Sequence, residues 1–566
     1  MRVLPVPPSR QYDIDTAKLE EARANANSGS PAHDALQLCV RFLDEESLAA
    51  LVPRLTSLAG SGVGLPTRVG VAKLTQSLAA RHASSVKPHA KTLCKAFISG
   101  ADRESSAATR KAYYAAVAAL TKLMSAKAIG KIVDNAVHAA ERDEDGAVRS
   151  AQLLREISRG SPDALAPHLS AILPLAFLLK HSTVADPSRP GKTKQTPIGA
   201  AFADVWDENT ASAASSLRLY QKECVGRVVE ALQASSYERK REGARAAITL
   251  ATELKGDVAS NGAAAEVIPA LVANVPGRIY EGKEEVLDAI GTVVSTSAKA
   301  MCAEGVTVGD SGACEDAASS LVASLKRGQT KWREAATAAL SSIVSAMSAE
   351  PACATRSKVL ALCVPTLLQS ASGALEGDDD GSSGGLPSEG SGKVMGAVGA
   401  KAEEEAARAV ADARVATVSM RARRAAALRA LCALLRDAGE AALVEAGATV
   451  EACAASAVSA TADASAWEAQ VAALELAVVM FEAPSSSGAA WAGDLLAACL
   501  SCADATANGS TSQAREAAMG ALAACMGGMS VGDSTAADRA RASIEKAAQH
   551  DGSGSVRAAA LRALDR

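Results

Sequence analysis

A basic residue returns at near-regular intervals along this chain. Each time it follows a short turn and precedes a run in which Ala and Leu recur at three- and four-residue spacing. The positions are Arg68, Arg110, Arg149, Lys240, Lys283, Arg333, Arg423, Arg515 and Arg557, with Gln470 as a polar stand-in. Most steps between them are about 40 to 50 residues, the period of repeats built from paired helices. Two steps are about twice that length, and each contains a Gly/Ser/Pro-rich insertion. This cadence restricts the chain more than any other feature, because units that touch only their neighbours stack in one dimension and leave no single globular core.

The fold expected is therefore all-α: a HEAT- or armadillo-like solenoid, a superhelix of antiparallel helix pairs. Hydrophobic residues make up 48% and aromatics only 3%, so Ala, Val and Leu must fill the interior. Ala favours helix most and lets helices approach closely. A formal net charge of −4 argues against nucleic acid as the main partner, which usually meets a basic face. Twelve cysteines scattered singly fit free thiols in a reducing compartment. Met1–Arg10 holds three prolines and no apolar run of signal-peptide length. Leu169–Leu179 is the longest apolar stretch and is too short to span a bilayer. These features lead to the expectation of a soluble, intracellular chain.

Four divisions are expected. Residues 1–30 form a flexible N-terminal segment, and 31–371 a solenoid with a loop insertion at 182–200. Residues 372–400, with the acidic run Asp378-Asp379-Asp380 among Gly and Ser, form a disordered linker, and 401–566 a second solenoid. Protease is expected to cut first within 372–400. Pro162–Lys180 reads as one helix, Lys401–Asp437 as a long one and Glu440–Ala460 as the next, and no segment reads as a convincing strand. Acidic turns precede Val148-Arg149 and Val556-Arg557. There an Asp in the turn and an Arg on the helix can bond neighbouring repeats.

Few residues suggest chemistry. Gly277-Arg278-Ile279-Tyr280-Glu281-Gly282-Lys283 has the glycine and lysine spacing of a phosphate-binding loop. However, Glu284 and Glu285 follow where Ser or Thr should hold magnesium, and no strand precedes it. The better reading is a repeat turn with two helix-ending glycines and two carboxylates at a helix N-terminus. Cys499 and Cys502 form a lone CxxC without a second ligand pair and read as small core residues. The seven histidines carry no HExxH or triad pattern. Arg421, Arg423, Arg424 and Arg429 read as a solvated face paired with Glu403, Glu404, Glu405 and Asp412, with an acidic-partner patch as the other reading. Trp332 and Trp467, near helix starts, read as core between repeats. No residue is assigned to catalysis, a cofactor or a metal.

Several stretches go beyond generic repeats. They include Gly62–Gly70 with Gly64, Pro66, Thr67, Arg68 and Gly70, then Leu173–Leu178, Val205-Trp206-Asp207-Glu208-Asn209 and Leu217-Arg218-Leu219-Tyr220. The last is Gly277-Arg278 with Gly282-Lys283-Glu284-Glu285. In this order and spacing, from about residue 35 to 350, the chain resembles the C-terminal part of the proteasome adaptor and scaffold family, very large HEAT-repeat proteins. The resemblance implies a non-catalytic protein that binds proteasome subunits and bridges the core particle and its regulatory cap. It also implies links to proteasome assembly, to membrane compartments and to degradation of endoplasmic-reticulum proteins. It makes the quoted residues structural or partner-binding, and replacing Gly64 or Gly70 by Val is expected to impair packing. Two other readings stand beside it. One is another helical-repeat scaffold, such as a transport receptor or a phosphatase or translation scaffold. The other is a nucleotide-binding enzyme using Gly277–Lys283.

Overall fold

The computed structural model describes residues 38–62, 64–186, 188, 193–257, 262–303, 311–327, 329–374, 398–463, 465–483, 489–504, 511–528 and 534–565. Of these, the side chains at 311, 398–413, 415–416 and 534 are left undescribed. The expected N-terminal segment 1–30 and nearly all of the expected linker 372–400 lie outside the described residues. The chain forms two compact units, Met1–Arg227 and Val228–Arg566.

In the first unit the helices are α1 (Glu45–Ser61), α2 (Leu65–Arg81), α3 (Ala90–Asp102), α4 (Ala107–Thr121), α5 (Ala126–Arg142), α6 (Glu144–Gly160), α7 (Leu169–Leu179), α8 (Pro197–Asn209) and α9 (Ala213–Leu219), with α10 (Gln221–Gln233) carrying the division. Helices α2, α4, α6 and α8 pack side by side in one layer, and α1, α3, α5 and α7 cover it. Short polar residues start these helices. Asp44 accepts from the Ser47 N–H (2.8 Å), Asp143 from that of Gly146 (2.6 Å) and Thr196 from that of Gly199 (3.0 Å). Each such cap stabilises by about 1 kcal/mol. The interior holds the scarce aromatics: Phe97 meets Tyr113 edge-on at 5.2 Å, and Phe177 meets Trp206 at 5.5 Å. The Tyr113 hydroxyl donates to the Ala59 carbonyl (2.9 Å), tying α4 to α1.

In the second unit α11 (Tyr237–Leu254), α13 (Glu284–Met301), α15 (Thr330–Ser348), α17 (Val398–Glu445), α19 (Trp467–Glu482), α21 (Ser512–Gly528) and α23 (Gly554–Leu564) form one continuous layer. The other layer is α12 (Ala263–Val272), α14 (Ser311–Ser324), α16 (Ala354–Ser372), α18 (Val450–Thr461), α20 (Ala490–Ala503) and α22 (Ser534–His550). Successive helices pair as hairpins, α12 with α13 through α22 with α23. Alanines such as Ala469, Ala472, Ala473 and Ala477 are fully buried in α19, which is how so aromatic-poor a chain closes its core. This is the all-α, paired-helix architecture of a HEAT/armadillo-type solenoid.

Four local expectations are corrected. The 182–200 insertion contains an antiparallel hairpin, β1 (Thr183–Ala185) with β2 (Thr193–Gln195), Val184 standing opposite Lys194. Its Pro197 and Gly199 belong to the first turn of α8, where proline's missing N–H costs nothing. Pro162–Lys180 is not one helix, because a 3₁₀ turn at Ala166–His168 separates the single turn Pro162–Leu165 from α7. The segment Pro162–Leu179 is apolar enough by length and composition to cross a membrane, yet Ile172–Leu179 is wholly buried, with α7 packed on α8 and α5. The long helix runs on to Glu445 with a break at Gly439 (φ +74°), so α18 begins only at Val450.

Candidate functional site

The turn between α12 and α13 carries the phosphate-loop spacing and is the place to test for chemistry. Gly277 and Gly282 both adopt φ of +83°, a region open to glycine and costly for other residues. These two reversals fold residues 275–283 around one side chain. Lys283 is 2% exposed, and its ammonium donates to the carbonyls of Val275 (3.0 Å), Pro276 (2.7 Å) and Arg278 (3.2 Å). An ammonium has three donors, and all three are used. Its Nζ also lies 5.4 Å from the Trp332 ring and 5.9 Å from that of Tyr280. Burial lowers this ammonium to about 8, with Arg327 and Lys240 pushing the same way, while the three carbonyls favour the cation.

A phosphate-binding loop presents N–H groups and a free lysine to the anion. Here the loop presents carbonyl oxygens inward and the lysine is consumed in closing it. Glu285 is also engaged: its carboxylate meets Arg245 (2.5 Å) and Arg241 (3.8 Å) on α11, the preceding helix of the same layer. Tyr237 stacks on Tyr280 at 4.3 Å, and Arg327 donates to the Gly277 carbonyl (3.3 Å). Lys283 is thus a latch that closes its own turn, while Glu285 and Tyr280 tie that turn to α11.

The same device recurs at other members of the basic cadence. Arg110 donates to the Glu104 and Ser105 carbonyls (2.8 and 3.1 Å), and Arg557 to that of Asp551 (2.6 Å). Gln470 donates to Thr461 (3.0 Å). Arg356 donates to Glu350 (2.8 Å), a latch the cadence missed because Arg356 opens α16, in the other layer. Other members reach across repeats. Arg149 donates to Asp102 (3.3 Å), Arg68 pairs with Glu104 (3.0 Å), and Arg515 grips Asp551 through two bonds (2.8 and 3.2 Å). Burial alone raises the Asp551 carboxyl, but the bonds from Arg515 and the Ser553 N–H, with the charges of Arg515 and Arg557, hold it below its ordinary value. At the other acidic turn Asp143 caps α6, Glu144–Gly146 are helical, and Arg149 bonds Asp102 instead.

The remaining candidate residues fall at separate places. Gly64 (φ +81°) precedes α2, Pro66 and Thr67 lie exposed in its first turn, and Gly70 sits within it with nothing inside 4 Å of an added Cβ. The packing role expected of Gly70 is therefore absent. Trp206 is buried under Phe177 and the Lys180 ammonium (4.3 Å from its ring). Asn209 donates to Ser158 (2.8 Å) and to the Val205 carbonyl (2.7 Å). Arg218 is exposed on α9, Tyr220 ends that helix, and Arg278 and Gly277 are exposed. Glu284 opens α13. Arg423 is buried; Arg424 donates to the Ala371 carbonyl of its own hairpin (2.7 Å) and to Ser459 of the next (2.6 Å), and Arg421 donates to Ser465 of the next (2.5 Å), so these arginines serve packing between helices rather than a wholly solvated face. The side chains of Glu403, Glu404, Glu405 and Asp412 lie outside the described residues. Trp332 is core at 1% exposure, whereas Trp467 is 41% exposed, because it opens α19 ahead of its first buried residue, Ala469. Cys499 and Cys502 are buried in α20, where burial pushes both thiols up.

Residues 8–139 match the family model of the HEAT-repeat domain of proteasome adapter and scaffold protein ECM29. The chain is 30% identical over 288 residues to the human proteasome adapter and scaffold protein ECM29, covering 50% of this chain and 15% of that protein. It is 25% identical over 286 residues to the proteasome component ecm29 of Schizosaccharomyces pombe, covering 50% and 16%. The chain thus matches only a small part of the length of these relatives. Among solved structures, Kap121p aligns over 97% of this chain and 49% of its own, at 12% identity and a TM-score of 0.45. Importin beta aligns over 94% and 62%, at 13% identity and a TM-score of 0.41. The chain is similar to a segment of the ECM29 proteins.

Proposed function

We propose that this chain is an ECM29-type segment that serves as a non-catalytic proteasome adaptor of the cytoplasm and nucleus. The observation that carries the reading is the similarity to proteasome adapter and scaffold proteins, about a third of positions across half the chain, on a paired-helix frame. The resemblance extends the proposal to a role in tethering or stabilising the proteasome core and regulatory particles, and in linking them to other cellular components. The physical contribution of the frame is multivalency: repeats that touch two bodies raise each one's effective concentration for the other. At the turn most suggestive of chemistry, the three donors of Lys283 are all taken by its own loop, which speaks against the nucleotide-binding alternative.

Affinity purification of the tagged chain from its own cells, at low salt and with ATP, tests the proposal. Proteasome subunits are expected among the recovered proteins. Recovery of transport cargo or ribosomal partners in their place overturns it.

A further inference from the structure

In the covering layer of the first unit, α1 packs on α3 and α5 on α7, but α3 and α5 barely touch. A groove of about 590 Å³ opens between them. Its floor is apolar, made by Cys94, Ile98, Met124, Ala128 and Ile132. Its two rims are cationic: Lys91 and Lys95 stand on α3, Lys127 and Lys131 on α5. Each pair is spaced i,i+4, so its two ammonium groups share one helix face.

All four lysines are exposed, and no carboxylate lines the groove. Among the described residues none of the four takes part in an ion pair. Ser125, which also lines the groove, starts α5 without a side-chain cap, so that helix's first N–H groups add partial positive charge at the same end. The cluster is local, since the chain as a whole is acidic at −4.

We propose that this groove docks an acidic peptide segment of a partner protein, one with a bulky apolar side chain set between carboxylates. The lysines would pair with the carboxylates, and the floor would take the apolar group. A nucleic-acid backbone satisfies the lysines but leaves the floor wet, and no aromatic ring lines the groove to stack a base. A flat anionic bilayer meets the rims but does not reach Cys94, which is buried. The proposal goes beyond the adaptor reading and is independent of it, because its test uses the purified chain without proteasomes.

The test is selection of a random 12-residue peptide library on the full chain, followed by fluorescence anisotropy with the selected peptides. The double variant K95E/K131E serves as counter-target, and K95Q/K131Q as a milder version in case charge reversal disturbs folding. The proposal expects peptides enriched in Asp or Glu three or four residues apart around Leu, Ile or Phe. Binding should weaken at least about tenfold on charge reversal, and similarly when the apolar residue becomes Ser. It should also weaken as salt rises. Absence of acidic enrichment, or equal binding by wild type and both variants, overturns the proposal. Tighter binding of a single-stranded oligonucleotide or a phosphatidylserine vesicle through the same lysines overturns it in favour of that ligand.

Discussion

The turn before α13 and the turn before α23 solve one problem by different chemistry. In the first, a buried amine gathers three carbonyls of its own turn. In the second, Arg557 closes the turn through the Asp551 carbonyl, while the Asp551 carboxylate reaches back to Arg515 on the preceding hairpin. The lysine latch is local and needs two glycines at positive φ to wrap around it. The arginine latch couples neighbours through a charge pair whose side chains are 13% and 3% exposed. A repeat can therefore be fastened either within itself or to its neighbour, and the two kinds of fastening should fail differently.

The largest effect is expected from Lys283→Met, which keeps the length of the side chain and leaves three carbonyls without their donor. Urea unfolding should show a loss of about 4 kcal/mol, from about 1–3 kcal/mol per stranded group. A loss below about 1 kcal/mol means that water replaces the ammonium and the local latch is dispensable. Asp551→Asn should cost about 3 kcal/mol near neutral pH by stranding the Arg515 charge. Here pH separates the two latches. The Asp551 carboxyl sits below its ordinary value in the folded chain, so its stabilisation is present above the unfolded value near ~4 and is lost as pH falls through the folded one. Wild type and Asp551→Asn should converge in acid. Parallel curves down to the acid limit break the distinction.

Two glycines sharpen the local latch. Gly282→Ala should cost about 2–3 kcal/mol, combining positive φ with a Cβ 2.3 Å from Nε of Arg241, whose guanidinium also meets Glu285 through Nη2. Gly277→Ala has the same φ and open space, so about 1 kcal/mol is expected from the backbone alone. Equal losses show that the Arg241 approach does not matter. The smallest effect is a gain: Gly70→Ala, inside α2 with free space around it, should raise stability by about 0.5–1 kcal/mol in the same titration.

The helix pairs and the basic cadence were legible because both follow from local spacing. Ala and Leu at 3.6-residue period mark an inward face, and one polar residue per repeat recurs where a turn needs a donor. Lys283 was readable as a turn residue because Glu284 and Glu285 already argued against a phosphate. Elements without a period were not legible. Three-residue strands such as Thr183–Ala185 leave no alternation to detect, and the break inside Pro162–Lys180 depends on a 3₁₀ turn of only Ala166–His168. Trp467 misled because one residue of helical register separates core from surface. The groove was invisible for a further reason: Lys91 and Lys95 lie well apart in sequence from Lys127 and Lys131, and each pair alone reads as an ordinary wet face. Only the gap in the covering layer joins them.

The burial of α7 has a bearing on how this chain can be divided. The segment Pro162–Leu179 is apolar enough by length and composition to cross a bilayer, and its buried part, Ile172–Leu179, packs under Pro197–Asn209. Any shorter version that stops before Pro197 uncovers that strip. Such a version is expected to stick to itself, to detergents or to chaperones, and to partition with membranes in fractionation for want of the helix that covers this strip.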